Sequence, residues 1–337
     1  MKSQNKIGTL GVNAIALVVM GLLALAIADT SVFALRPYAY VVNRESHTVS
    51  VIDTVDQWVI ATIPVGFRPR VIAINPENTR AYVTNGDSNT VTAIDTITLQ
   101  VVDTIPVEQR PDGIVISPDS RTAYVANSMS NTVSVIDLSQ NRVVANILVG
   151  NYPTGVELGL GGNQLYVANW RGLEVTVIDT NTRGIIASIP LDRRPIRVTV
   201  SPNGRTAYIV SDYTPEYAVI AMDTSSFEII GGLHDDQAHN VIRFTPDGSR
   251  AYVSGASLNA TVSVFDTRKG MLLQRIETQL RPMGLDVTGD GRLVYVANAS
   301  SSSVSVVETA TNEIIATIEV GDLPTYVAIS RVCNNGC

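Results

Sequence analysis

Four arginines each stand directly before a proline, at intervals of 42, 84 and 87 residues along the chain. They are Arg68, Arg110, Arg194 and Arg281. A guanidinium group is planar and donates paired hydrogen bonds to carboxylates, phosphates and acidic sugars. If equivalent turns of one fold carry these arginines, they form a positive crown that predicts an anion-binding site. The alternative is that each arginine pairs with a neighbouring acidic residue and only joins adjacent structural units.

Aromatic side chains supply a second set of candidates. Trp170 and Arg171 are adjacent, and Tyr213 and Tyr217 lie in a longer polar segment between two apolar runs. Exposed aromatic rings of this kind stack on sugars or anchor a protein partner. The four residues therefore join the candidate ligand-binding set.

Two of the chain's three histidines lie in one short polar segment. His234, Asp235 and His239 combine imidazole and carboxylate groups, which ligate divalent metals or exchange protons. Their spacing fits no metal-binding motif, and ordinary solvated loop residues are the alternative interpretation.

Composition and missing motifs exclude several functions. The net charge is −7 and only three residues are lysine, so no basic surface is expected to hold nucleic acid. Gly-x-Ser-x-Gly, Walker and Gly-x-Gly-x-x-Gly motifs are absent, as is Cys-x-x-Cys-His for covalent haem. Three histidines are too few for a multi-histidine copper cluster. We therefore expect no cofactor.

A repeat of about 42 residues determines where all these side chains are placed. An Ala-Tyr-Val motif or a close variant recurs seven times, with its tyrosine at Tyr40, Tyr82, Tyr124, Tyr166, Tyr208, Tyr252 and Tyr295. A Val-Ile-Asp-Thr motif or a variant follows each of them, with its acid at Asp53, Asp95, Asp137, Asp179, Asp223, Asp266 and Glu308. Because every repeat has one, we interpret the tyrosines as packing residues and the acids as turn caps.

Each repeat contains four short apolar runs separated by turn residues, which is typical of one β-propeller blade. Pro64, Pro106 and Pro190 fall in the last run of their repeats, so that run is predicted to be the outer edge strand. The repeats begin at the second strand of a blade and end at a first strand. The sequence thus predicts an all-β, seven-bladed propeller with four antiparallel strands per blade, closed by the C-terminal strand completing blade one.

The residues Tyr82-Val83-Thr84-Asn85, followed by Asn89 to Thr96, resemble the YVTN repeat of YncE-like exported β-propellers and surface-layer-type proteins. The resemblance covers residues 37–331. It implies an exported seven-bladed propeller and no particular chemistry.

Insertions in the repeat lie in the loops between the second and third strands of blades five and six. In a blade of alternating strands, these loops share one rim with the connections between blades, and we call that rim the top face. The four arginines, Trp170, Arg171 and the histidine segment all fall on the top face, so we expect a recognition funnel there.

The two ends of the chain read differently from the repeats. Lys2 and Lys6 precede a run without charge from Ile7 to Ala28, so residues 1–34 are predicted to be a signal peptide, or alternatively an uncleaved N-terminal anchor. Residues 35–331 are assigned to the propeller and 332–337 to a C-terminal tail. In an exported protein Cys333 and Cys337 favour a disulfide, with pairing to another chain as the rival.

These observations predict a binding or scaffold module of the cell envelope, periplasmic, extracellular or on the cell surface. Its expected partner is an anionic small molecule, an acidic glycan or another envelope protein. Membrane contact is expected only through the N-terminal segment. The alternative is a propeller-type lactonase, lyase or other hydrolase that uses the same funnel.

Overall fold

The computed structural model describes residues 36–211, 219–255 and 260–331. The predicted signal peptide or anchor, Tyr213, Tyr217, Cys333 and Cys337 lie outside these residues, so the interpretations attached to them stay predictions. In the part of the chain that is described, no helix has the length and apolar character needed to cross a membrane.

The described residues form 28 strands. Blade one has β1 (Tyr38–Asn43), β2 (Thr48–Asp53), β3 (Trp58–Pro64) and β28 (Pro324–Ile329). Blade two has β4 (Pro69–Ile74), β5 (Arg80–Asn85), β6 (Thr90–Asp95) and β7 (Gln100–Pro106). Blade three has β8 (Pro111–Ile116), β9 (Thr122–Asn127), β10 (Thr132–Asp137) and β11 (Arg142–Leu148). Blade four has β12 (Pro153–Leu158), β13 (Gln164–Asn169), β14 (Glu174–Asp179) and β15 (Ile185–Pro190).

The remaining three blades follow the same order. Blade five has β16 (Pro195–Val200), β17 (Thr206–Ser211), β18 (Val219–Asp223) and β19 (Ile229–Leu233). Blade six has β20 (His239–Phe244), β21 (Arg250–Gly255), β22 (Thr261–Asp266) and β23 (Met271–Glu277). Blade seven has β24 (Pro282–Val287), β25 (Leu293–Asn298), β26 (Ser303–Glu308) and β27 (Glu313–Glu319).

Each blade is one antiparallel sheet whose strands we label A to D from the channel outward. The seven A strands contact one another around the channel. In blade one, the A strand is the C-terminal β28, which pairs with β1. The Tyr38 amide donates to Ser330 Oγ at 2.7 Å, and the Ser330 amide donates to the Tyr38 carbonyl at 2.9 Å. The predicted fold and its closure by the C-terminal strand are confirmed.

The four strands of a blade differ in how far they are buried. Strands B and C are buried along nearly their whole length, whereas the D strands expose many of their residues. Six of the seven repeat tyrosines are buried; Tyr208 is only partly covered. Pro64, Pro106 and Pro190 each end a D strand, where the missing amide proton interrupts no inner ladder. The packing interpretation of the tyrosines is confirmed.

The asparagine that ends the Tyr-Val-Thr-Asn motif ties strand B to strand C. Asn85 is fully buried, and its Nδ2 donates to Thr92 Oγ1 at 2.8 Å and to Thr90 Oγ1 at 3.1 Å. The same donation to strand C recurs from Asn43, Asn127, Asn169 and Asn298. Because a buried amide without partners is costly, this bond explains why the residue repeats.

The repeated acid caps the turn between strands C and D, as predicted. In blade two, Asp95 Oδ1 accepts the amides of Ile97 at 3.0 Å and Thr98 at 2.8 Å. In blade four, the threonine after the acid reaches further, since Thr180 Oγ1 donates to the Gly162 carbonyl at 2.8 Å. The two turns on the bottom rim are thereby joined within one blade.

Neighbouring A strands approach too closely for a side chain at some points. At Gly284, a β-carbon would lie 2.5 Å from the Cα of Tyr326 and 2.6 Å from the carbonyl oxygen of Thr325. Both atoms belong to the backbone of β28, so they cannot move aside as a flexible side chain can. Glycine is therefore required where β24 meets the closing strand.

Candidate functional site

The top end of the channel holds a cavity of about 300 Å³. Its wall includes the second residue of all seven A strands, which we call the mouth ring. Following the blades from two through seven and back to one, these residues are Arg70, Asp112, Thr154, Ile196, Asn240, Met283 and Thr325. The A strands present one residue each at the same height, so the cavity is a direct product of the sevenfold repeat.

Loop residues and the third residues of three A strands complete the wall of the cavity. Arg44 and Trp170 occupy the same repeat position, directly after the buried asparagine of strand B in blades one and four. Tyr152 comes from the connection that leads into blade four. The remaining lining residues follow the mouth ring along their A strands: Arg197, Val241 and Tyr326.

Positive charge outweighs negative charge in this cavity. Asp112 Oδ2 accepts from Arg70 Nη1 at 2.8 Å, and its Oδ1 lies 3.4 Å from Arg197 Nη2. Arg44 adds a third guanidinium, and its pKa is lowered by burial and by the neighbouring Arg70 and Arg68. Within the described ranges, the Nε atoms of Arg44 and Arg70 have no hydrogen-bond partner. Three arginines against one carboxylate leave two net positive charges.

An aromatic wall stands on the blade-four side of the cavity. The rings of Tyr152 and Trp170 have centroids 5.5 Å apart and are tilted by 53°. The Arg171 guanidinium lies 4.6 Å from the centroid of Tyr152, and that of Arg194 lies 4.7 Å from the ring centroid of Trp170. These cation–π contacts fix both rings while they still line the cavity.

Tyr326 forms the floor. The Arg197 guanidinium lies 5.3 Å from its ring centroid and that of Arg243 lies 5.7 Å away. Arg243 also donates to the Tyr326 hydroxyl and, at 3.2 Å, to Thr199 Oγ1. Its Nε lies 3.5 Å from Asp286 Oδ1. Arg243 thus joins side chains of blades one, five, six and seven across the channel.

Glu157 is the most perturbed carboxyl of this inner region. Burial raises its pKa to about 7; Arg243 opposes that change and Asp286 adds to it. Burial also raises the pKa of Asp286, in spite of its contact with Arg243. Glu157 stands three residues beyond Thr154 on β12, which is roughly 10 Å along an extended strand. It lies outside the cavity lining, deeper in the channel.

The four arginines of the predicted crown do not meet at the cavity, since none of them lines it. Arg68 lies 3.4 Å from Glu45 and 3.7 Å from Asp87, as the pairing alternative expects. Arg110 is partly buried, Arg281 is exposed, and both have left-handed backbone at φ 57° and 58°. Among the crown arginines, Arg194 contacts a lining residue, Trp170. The structure therefore brings together Trp170, Arg171 and Arg194 from the predicted set.

The histidine segment forms a separate buried cluster. His239 Nε2 lies 3.2 Å from Asp235 Oδ2, and Arg275 donates to Asp235 Oδ1 at 2.6 Å. Burial opposes the ionisation of Asp235, but His239, the Ser263 hydroxyl and Arg275 outweigh it and hold its pKa well below the usual range. His234 is exposed. No group of three potential metal ligands converges in the described residues.

Sequence reasoning did not identify Arg44, Arg70, Asp112 or Arg197. A signal was present for Arg70 and Asp112, because the second residue of strand A changes type from blade to blade behind a proline that recurs in six of the seven blades. Such a position has a fixed place in the fold, but its side chain is not required by the fold.

Comparisons with known proteins agree with this architecture. Residues 72–161 match the family model of the YNCE-like beta-propeller. Among solved structures, Kuenenia stuttgartiensis hydrazine synthase is similar with a TM-score of 0.71 at 20% identity, over 79% of this chain and 96% of that chain. A putative 6-phosphogluconolactonase from Bacteroides uniformis gives a TM-score of 0.72 at 16% identity, over 88% of this chain and 100% of that chain.

A third structure, the dihydro-heme d1 dehydrogenase NirN in complex with DHE, gives a TM-score of 0.66 at 15% identity, over 88% of this chain and 75% of that chain. At these identities the likeness concerns the fold alone. No curated protein sequence matches.

Proposed function

We propose that this YNCE-like seven-bladed propeller is a binding module that takes an anionic small molecule in the cavity at the top of its channel. The observation that carries the proposal is the excess of Arg44, Arg70 and Arg197 over Asp112 in one cavity. Guanidinium groups held in place before a ligand arrives bind carboxylates and phosphates without a further ordering cost.

Cavity size favours a small ligand over the other predicted partners. About 300 Å³ is the lower end of the range for small-molecule sites. An acidic glycan would place only one sugar unit inside the cavity, and an envelope protein would need a binding surface outside the channel. On the rim, the ion pairs of Arg68 with Glu45 and Asp87 also leave less uncompensated positive charge for a larger partner.

The test is calorimetric titration of the propeller with inorganic phosphate and with citrate. We expect Arg70→Ala to weaken anion binding at least tenfold, because it removes a cation from the cavity. Arg281→Ala removes the same charge from the same face without touching the cavity wall, so its affinity should match the parent protein. Loss of binding in Arg281→Ala but not in Arg70→Ala would instead establish the predicted crown as the site.

The enzyme alternative has one observation in its favour. A carboxyl with a pKa of about 7, as at Glu157, is suited to accept a proton from water at neutral pH. The similar Bacteroides uniformis structure is that of a putative 6-phosphogluconolactonase, which makes lactone hydrolysis the reaction to assay. Turnover of a lactone that Glu157→Gln abolishes would favour the enzyme. The position of Glu157 outside the cavity lining favours the binding function over the enzyme.

Export is part of the proposal. The charge pattern of residues 1–34 supports a signal peptide. Mass measurement of the mature protein, after expression in a bacterial host with an intact envelope, tests it. A mass that retains residues 1–34 in the membrane fraction would support the anchor, and an uncleaved protein in the cytoplasm would contradict export.

A further inference from the structure

We propose that the ligand of this cavity is an aromatic dianion, of which an aryl phosphate is the simplest form. Its anionic group lies against Arg44 and Arg70, and its ring lies against Tyr152 and Trp170. This inference rests on the proposed anion site and names the chemistry of the molecule that fills it.

The lining is divided between two sides of the ring of blades. Arg44 and Arg70 come from blades one and two. Trp170 belongs to blade four, which lies almost opposite blade one in a closed ring of seven, and Tyr152 leads into that blade. A ligand that spans the cavity therefore meets Arg44 and Arg70 at one end and the two aromatic rings at the other. The third guanidinium, that of Arg197 in blade five, is held by Asp112 and the Tyr326 ring.

Apolar side chains continue the aromatic wall around the next three blades. Ile196, Val241 and Met283 line the cavity from blades five, six and seven. Ile196 and Met283 are partly exposed, so an inorganic anion would leave them facing water, whereas a ring would cover them. Burial of apolar surface is favourable in proportion to its area, so the ring is expected to add to the affinity of the anion.

The charge on the ligand follows from the partners of Asp112. This carboxylate contacts both Arg70 and Arg197, so it cancels one of the three positive charges of the cavity. A group with two negative charges neutralises the remainder, while a monocarboxylate leaves one guanidinium uncompensated. A phosphate monoester has this charge near neutral pH.

The tryptophan content of the chain gives a direct measurement. The protein has two tryptophans, and Trp58 lies on the outer strand β3 with 61% of its surface exposed. In a Trp58→Phe variant, fluorescence excited at the long-wavelength edge of the indole absorption band, where tyrosine does not absorb, reports on Trp170 alone. Titration of this variant with phenyl phosphate, inorganic phosphate and phenol separates the ring from the anion.

We expect phenyl phosphate to change the Trp170 signal and to bind at least tenfold more tightly than inorganic phosphate does by calorimetry. Phenol should bind more weakly than either. A Trp170→Leu variant should reduce the preference for phenyl phosphate over phosphate, while Trp58→Phe leaves that preference unchanged.

The outcomes separate the two proposals. Equal affinity for phenyl phosphate and inorganic phosphate overturns the aromatic part and leaves the anion site standing. Binding of phenol alone, or of no compound while the fold is intact by circular dichroism, overturns the anion site and this inference with it.

Discussion

The bottom rim and the mouth ring occupy equivalent places in all seven blades, but their residues vary in opposite ways. On the bottom rim, an acid stands in every turn between strands C and D. In blades one to six the aspartate accepts amides of the turn, and in blade seven Glu308 accepts the Thr311 hydroxyl. In the mouth ring, arginine, aspartate, threonine, isoleucine, asparagine and methionine stand at one repeat position. A repeated residue therefore marks what the fold requires, and a varied residue at a fixed position marks what it leaves available for a ligand.

The largest expected effect tests the framework side of this comparison. Gly284→Ala should lower the free energy of unfolding by up to about 3 kcal/mol, since its β-carbon would press on the backbone of the closing strand. Urea unfolding followed by circular dichroism measures it.

Gly289→Ala is the matched control, because its β-carbon would meet nothing closer than Arg331 Cγ at 3.8 Å. We expect that variant to change stability by less than about 0.5 kcal/mol. If both glycine variants lose equal stability, close approach of the A strands is not the cause.

A second prediction concerns the asparagine that joins strands B and C. Asn85→Ala should cost about 2 kcal/mol of stability, because the buried Thr92 hydroxyl and the partly buried Thr90 hydroxyl lose their donor. Blade five has Ser211 at this position, and its buried hydroxyl has no hydrogen-bond partner in the described ranges. Ser211→Ala should therefore be close to neutral in thermal unfolding. A large loss in Ser211→Ala would contradict this account of the repeat.

The same distinction explains what could be predicted from the sequence. Tyr40 and its six equivalents, the turn acids and Pro64 specify strands, strand order and closure, because each acts through its own neighbourhood or through repetition. The cavity could not be located in this way. Arg68 and Arg70 flank one proline, and the left-handed backbone at Arg68, with φ 48°, is a feature of the fold that no residue type announces. Only the structure shows that the side chain after the proline reaches the cavity.

A third prediction separates stability from binding at the mouth ring. Asp112→Asn should lower the free energy of unfolding by about 1.5 kcal/mol, because Arg70 and Arg197 lose their shared carboxylate. The same change should raise the affinity for phosphate roughly fivefold, because it removes a negative charge from the cavity. Calorimetry and urea unfolding on one sample measure both. Weaker phosphate binding in this variant would show that the cavity is not an anion site.

The smallest expected effect lies deeper on the same A strands, at Glu157. Its native pKa of about 7 lies above the ordinary value of 4.5. Between these two pH values, the carboxyl group keeps its proton in the native state and has released it in the unfolded chain. The stability that this proton contributes is complete below about pH 4.5 and is lost as the pH rises through 7. Glu157→Gln should therefore become more stable than the parent protein, by about 1 kcal/mol at pH 8, with little difference at pH 4.5.

Urea unfolding at several pH values between 4.5 and 8 measures this difference, and Glu313→Gln, on the exposed outer strand β27, is the control for the loss of one carboxylate. A gap between Glu157→Gln and the parent protein that stays constant with pH would mean that Glu157 does not hold its proton in the folded channel. A gap that opens above pH 5 in Glu157→Gln alone would place a titrating carboxyl inside the channel. The varied positions of the A strands would then supply a charged cavity at the mouth and a neutral carboxyl beneath it, on a framework that the repeated residues alone hold in place.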